Sequence, residues 1–253
     1  MMRNMAITMA AVLLTGATTA VGGLIGNWSF DDGSGETAAD AVNGNNATLT
    51  NTPTWTTGKI GGGLEFDKDQ NEYGVISNIS QVPTGDNAGL TMSLWVKPTE
   101  APVNNWGDDS GIWLLRTGSD GLVGFSVVRD TNPYEDVDDV QFRGMTRPID
   151  QAARSSGNIL ENGTWVHLVG VYEGTDDTTN EDYLTLYADG VQVASNTDET
   201  HKTLSNSLDW HFGRDEHNGS SRDIDAVLDD AAMWDEALTA GKAGACSTSR
   251  MNP

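Results

Sequence analysis

Leu228-Asp229-Asp230-Ala231-Ala232-Met233-Trp234-Asp235-Glu236-Ala237-Leu238-Thr239, close to the end of the chain, is the stretch that decides the fold. It pairs with Gly26-Asn27-Trp28-Ser29-Phe30-Asp31-Asp32 near the start. Both alternate apolar and polar residues, the period-2 pattern of strands with one buried face. Trp28 and Phe30 fall on one side of the first strand, and Leu228, Ala232 and Trp234 on one side of the last. Each strand carries an acidic pair. If the two lie side by side in one sheet, their carboxylates converge, an arrangement that suits a hard cation.

Outward from these two segments the chain repeats the same pattern. Short alternating runs are broken by Gly, Asn, Asp and Thr clusters, and helical signals are almost absent. Strands are expected at 26–30, 64–66, 73–76, 90–96, 111–116, 121–128, 137–143, 165–173, 183–188, 191–194, 209–212 and 226–234, the signature of an antiparallel sandwich. Asp189-Gly190, between two apolar runs, predicts a two-residue hairpin turn, where glycine supplies the positive φ. Residues 174–182 read as an acidic hairpin tip and 144–162 as a longer loop. After Leu238 one short helical turn is expected, weakened by Gly241 and Gly244. No internal repeat or second domain is visible.

Residues 5–14 are apolar apart from Thr8, follow Arg3 and precede Gly16-Ala17-Thr18-Thr19-Ala20. That is the layout of a secretory signal cleaved after Ala20, and the run is short for a membrane span. The expected division is a signal peptide over 1–20, one domain over 21–240 and a tail over 241–253. The single cysteine, Cys246, rules out a disulfide framework within one chain, so burial must hold the fold. A net charge of −23 argues against nucleic acid or an anionic membrane as partner. It has two readings: a solvated surface suited to salt, and carboxylates that ligate metal.

Six segments in order resemble the LamG-like (laminin-G-like) concanavalin A-type jelly-roll domains common in secreted bacterial proteins. They are the opening Trp28-x-Phe30-Asp31, then Gly61-Gly62-Gly63-Leu64-Glu65-Phe66-Asp67, and Leu90-Thr91-Met92-Ser93-Leu94-Trp95-Val96-Lys97-Pro98. After these come Gly163-Thr164-Trp165-Val166-His167-Leu168-Val169-Gly170-Val171-Tyr172, Leu184-Thr185-Leu186-Tyr187-Ala188-Asp189-Gly190, and the Asp229-Asp230 segment. The resemblance implies an all-β jelly-roll sandwich of two antiparallel sheets with neighbouring termini. It also implies a structural calcium between the first strand, the 40–46 loop and the last strand. Carried over by position, Asp31 and Asp229 would give carboxylates, and Asn43 and Asn46 loop oxygens. Fold alone does not fix function.

Catalytic patterns are sparse. Glu135-Asp136-Val137-Asp138-Asp139 is the nearest approach to a glycosidase carboxylate pair and lacks a second Glu. No Gly-x-Ser-x-Gly elbow is present. His167, His201, His211 and His217 show no zinc spacing. Of eight tryptophans, Trp28, Trp95, Trp165 and Trp234 are expected in the core, and Trp55, Trp106, Trp113 and Trp210 are less constrained. Trp106, beside Asn105 and Asp108, reads either as a sugar-stacking platform or as a ring folded over the sandwich edge. Arg214 and His217, in an expected loop, form a second candidate contact. Arg143, Arg147 and Arg154 read as contacts to an acidic sugar or as scattered surface charge. The function expected is a non-catalytic extracellular module binding carbohydrate or mediating cell-surface adhesion. A polysaccharide hydrolase or lyase with an unfamiliar site, and a structural part of an extracellular assembly, stand as alternatives.

Overall fold

Alternation along the chain becomes two large antiparallel sheets. The computed structural model describes residues 23–85, 88–100, 110–117, 121–129, 138–144, 152–174, 182–198, 204, 206–217 and 220–246. In chain order the strands begin with β1 (Leu24–Trp28), β2 (Thr37–Ala38), β3 (Ala47–Thr50), β4 (Thr54–Thr57), β5 (Gly62–Phe66) and β6 (Tyr73–Ile76). Next come β7 (Gly89–Pro98), β8 (Ser110–Thr117), β9 (Gly121–Arg129), β10 (Asp138–Gly144), β11 (Ala153–Arg154) and β12 (Val166–Glu173). The series ends with β13 (Asp182–Ala188), β14 (Val191–Asp198), β15 (Trp210–Phe212), β16 (Arg214–His217), β17 (Ser220–Asp223), β18 (Ala226–Trp234) and one short helix, α1 (Ala240–Ala245).

The first sheet runs β14-β13-β12-β7-β18-β5-β4, with β1 also paired to β18. The second runs β11-β10-β9-β8-β15-β6-β3-β2, and β16–β17 forms a separate hairpin. The first and last large strands are antiparallel neighbours, with Asn27 opposite Ala232 and Trp28 opposite Ala231. Asp189 and Gly190 both take positive φ, 48° and 80°, which gives the turn joining β13 to β14 the twist a two-residue hairpin needs.

An aromatic hub locks the sheets together. Trp28 of β1 meets Trp113 of β8 edge-on at 5.5 Å and Phe212 of β15 at 5.7 Å. Phe30 meets Phe212 at 5.2 Å, and Trp113 stacks on Phe212 at 5.0 Å. Offset and edge contacts of this kind add to the area each ring buries. Trp113 and Trp210, unconstrained by pattern, thus sit at the centre. Trp95 and Trp165 do not. Trp95 lies on the outer face of the first sheet, its ring 5.0 Å from His167 and under the Lys59 ammonium. Trp165 lies under Lys97.

The last strand also departs from simple alternation. A bulge between Asp229 and Ala232, with Asp230 at φ 43°, shifts the register against β7. Leu228, Ala231 and Met233 therefore enter the main core, while Ala232 and Trp234 turn outward. There they join Val169, Val171, Tyr187, Leu238, Ala243 and Cys246 in a second cluster under α1. A bulge adds one residue and so exchanges the two faces beyond it. Residues 214–217, expected as a loop, form β16 instead. Strands β2, β3, β4, β11 and β17 lie in segments read as connections, being short or polar on both faces.

Candidate functional site

Four residues are expected from the sequence to hold a cation, and the structure places them in two local settings. Asp229 is fully buried, and its Oδ2 accepts the Ile60 amide at 2.8 Å. Its Oδ1 is buried with no hydrogen-bond partner. Burial pushes the carboxyl up to about 7, against the amide donors of Ile60, Asp230 and Lys59. Asp31 borders the same 58–62 loop, its Oδ1 accepting the Gly62 amide at 2.6 Å. Asn43 and Asn46 belong to the turn that Asp40 organises. Asp40 takes the amides of Asn27, Val42, Asn43 and Asn45. Asn46 Oδ1 accepts the Asp40 amide at 2.9 Å, and Asn43 Nδ2 donates to the Ile25 carbonyl at 3.0 Å. Asp40, absent from the sequence-based set, is the residue that shapes this loop. Its spacing to the Asn residues is an Asx-turn signal legible in the chain.

Among the described residues, no group of three or more His, Cys, Asp or Glu side chains converges for a metal. Any cation here takes amide and backbone oxygens as well, which calcium accepts. An orphaned buried carboxylate oxygen is the kind of group such an ion would satisfy, so Asp229 fits the role.

Trp106, Asn105 and Asp108 lie outside the described residues, as do the expected signal segment and Arg147. The backbone of His217 closes β16 opposite Ser220, and its side chain lies outside the described set. Arg214 is described fully. Its Nε and one Nη donate to the two Asp223 oxygens at 2.8 and 2.9 Å. Its guanidinium also bonds Asn71 Oδ1 and lies 3.4 Å over the Tyr73 ring. With both ion-pair partners buried, this arginine holds the β16–β17 hairpin down.

The outward face of the second sheet carries polar groups that the sequence reading did not single out as a set. Phe125, Val140, Phe142 and Ala153 face inward. Between them, Ser126, Asp139, Gln141 and Arg143 face outward and are nonetheless buried. One row crosses the sheet in register: Arg154 of β11, Gln141 of β10, Ser126 of β9 and Gly111 of β8. Gln141 Nε2 donates to Ser126 Oγ at 2.7 Å. Arg154 Nε donates to Asp139 Oδ2 at 2.8 Å, and the Gly157 amide to Asp139 Oδ1 at 3.1 Å. At Gly111 the row meets the β16 backbone, where any side chain would collide with Arg214 and Asp215. The parallel row runs through Arg143, Gly124, Leu114, His211 and Val75. Amide, hydroxyl and guanidinium groups on a small-residue floor, walled by a hairpin, match the hydrogen-bonding needs of a polyol.

Residues 68–242 match the family model of the Concanavalin A-like lectin/glucanases superfamily. No curated protein matches the chain in sequence. Among solved structures, domain 4 of AbnA, an extracellular GH43 arabinanase from Geobacillus stearothermophilus in complex with arabinotriose, is similar. It is 16% identical over 88% of this chain and 97% of that one, with a TM-score of 0.60. A Trypanosoma rangeli sialidase in complex with the inhibitor DANA is similar at 16% identity and a TM-score of 0.61. That match covers 89% of this chain and 33% of the sialidase. The binding domain of Paraclostridial Mosquitocidal Protein 1 is similar at 12% identity over 88% of this chain and 51% of that one, with a TM-score of 0.60. At these identities the likeness is one of fold.

Proposed function

Given that the chain belongs to the concanavalin A-like lectin/glucanase superfamily, we propose that it is an exported, non-catalytic module that recognises carbohydrate. The observation that carries this reading is the row Arg154–Gln141–Ser126 on the outward face of the second sheet. Gln141 and Ser126 are fully buried and bond each other, Arg154 is half-buried, and Gln141 Oε1 and Arg154 Nη2 are buried without a partner. Buried polar groups in a folded core are normally fully paired, and unspent capacity on one face is what a ligand rich in hydroxyls would complete. A fold like this one accompanies arabinotriose in the arabinanase domain, which supports an oligosaccharide as ligand.

The same proposal includes a structural calcium at Asp229, supported by its orphaned buried oxygen, with Asp31, which borders the same 58–62 loop, as the second carboxylate. Asn43 and Asn46, expected as further ligands, lie in the separate turn organised by Asp40 and are not drawn on. Its work is to neutralise a buried charge where the first and last strands meet. Export rests on the apolar N-terminal run, and N-terminal sequencing of protein recovered outside the cytoplasm tests it.

The function is tested on a glycan array run beside an assay for reducing ends and unsaturated sugars. Retention of glycans without product favours the module. Product that accumulates with time favours a hydrolase or lyase. Silence in both assays, with self-association, favours a structural protein.

A further inference from the structure

Two groups on the outward row combine to define a subsite. Gln141 and Arg154 are register partners on β10 and β11, on the face opposite the inward Phe142 and Ala153. Gln141 is 0% exposed, and its Nε2 is spent on Ser126 while its buried Oε1 has no partner. Arg154 uses Nε on Asp139, while its buried Nη2 has no partner. An acceptor and a donor therefore lie on adjacent strands, both removed from water and both unsatisfied, which leaves their desolvation uncompensated. Neither can be relieved by a purely apolar group. Both are relieved by a ligand that donates one hydrogen bond and accepts one across neighbouring atoms, as two adjacent hydroxyls do.

Resting on the carbohydrate reading above, we propose that Gln141 Oε1 and Arg154 Nη2 form a subsite for a pair of adjacent hydroxyls on a neutral sugar. Ser126 and Asp139 fix the two side chains. The neutral class follows from charge. Asp139, 2.8 Å from Arg154 Nε, already balances the guanidinium and occupies part of its fork. A carboxylate sugar would then meet an Arg154 guanidinium already paired with a carboxylate, on a chain of net charge −23 that repels anions at a distance. Access comes from the β11 edge, where the Arg154 side chain is 28% exposed. The opposite end of the row is closed by β16 over Gly111.

The test uses the full chain in calorimetric titrations with xylohexaose and cellohexaose as neutral probes and hexagalacturonate as the acidic one. The wild type is expected to bind a neutral probe, with Gln141→Leu and Arg154→Lys each weakening it at least tenfold at an unchanged melting temperature. A deoxy analogue of the bound sugar, lacking one of the paired hydroxyls, should lose a similar factor on the wild type and nothing further on Gln141→Leu. Unchanged affinity in both variants overturns the subsite and leaves the carbohydrate reading standing. Tighter binding of hexagalacturonate overturns the neutral class. Absence of binding to every probe and to a glycan array overturns the carbohydrate reading and the subsite with it. If Gln141→Leu melts early, the deoxy series on the wild type decides, since equal affinity for sugar and analogues overturns the subsite.

Discussion

His167 shows how a single residue can tie stability to pH. It is 2% exposed on the outer face of the first sheet, packed on Trp95, and burial pushes its imidazole down to about 4 against the pull of Asp189. Above pH 6.5 both folded and unfolded chains carry it neutral, so it contributes no slope. Between 6.5 and 4 only the unfolded chain takes up the proton, and stability falls by about 3 kcal/mol across that window. Below 4 both states are protonated and the slope ends. His167→Phe keeps the ring against Trp95, so in denaturant melts its stability relative to the wild type should rise by about 3 kcal/mol from pH 7 to 4, a difference in which the opposite contribution of Asp229 cancels. A difference that stays constant with pH would place the effect elsewhere. Asp229 is the second informative residue. A calcium ion bound only by the folded chain raises stability by about 2.7 kcal/mol at a hundredfold excess over its dissociation constant. Melting temperature should rise in calcium relative to chelator for the wild type, and Asp229→Ala should erase the difference. Equal melts of the wild type in both conditions count against the ion.

At the scale of elements, the β16–β17 hairpin turns on Arg214. Because Arg214 and Asp223 are both buried, removing one leaves the other charged and unpaired, at a cost of about 3–5 kcal/mol. Arg214→Met should therefore lower the melting temperature sharply. A variant that melts normally but binds glycan poorly would instead make Arg214 a ligand contact. Polar residues at every position of β16 left no alternation to read, so this strand became visible only through its partners. The β18 bulge teaches the same lesson. Asp229-Asp230 was recognisable as a special site, but which face each flanking residue took depended on one left-handed residue. Alternation carries no mark of an inserted residue.

For the whole molecule, the aromatic hub and the net charge act on stability in opposite directions. Phe212 touches Trp28, Phe30 and Trp113, joining the sheets from both sides. Phe212→Ala should cost about 3–5 kcal/mol by chemical denaturation; a loss below 1 kcal/mol would mean the sheets are held elsewhere. With a net charge of −23, self-repulsion weakens the folded state at low salt. Screening shortens from about 30 Å at 0.01 M to about 3 Å at 1 M, so the melting temperature should climb with sodium chloride. A flat response would show the acids already neutralised by bound ions.

The sequence by itself determined the all-β class and the Asp189-Gly190 turn, both written in local order as a period-2 alternation and a turn dipeptide, and local order needs no partner to be read. The pairing of first and last strands came only through the resemblance to LamG-like domains, and the structure bears it out. Tertiary structure alone decided that Trp113 and Trp210 form the hub while Trp95 and Trp165 face outward, because a ring's burial depends on which sheet packs over it. It alone decided, too, that Gln141 and Arg154 stand side by side with unspent hydrogen bonds. They are 13 residues apart in the chain, and only strand register brings an amide and a guanidinium from separate strands onto one buried face.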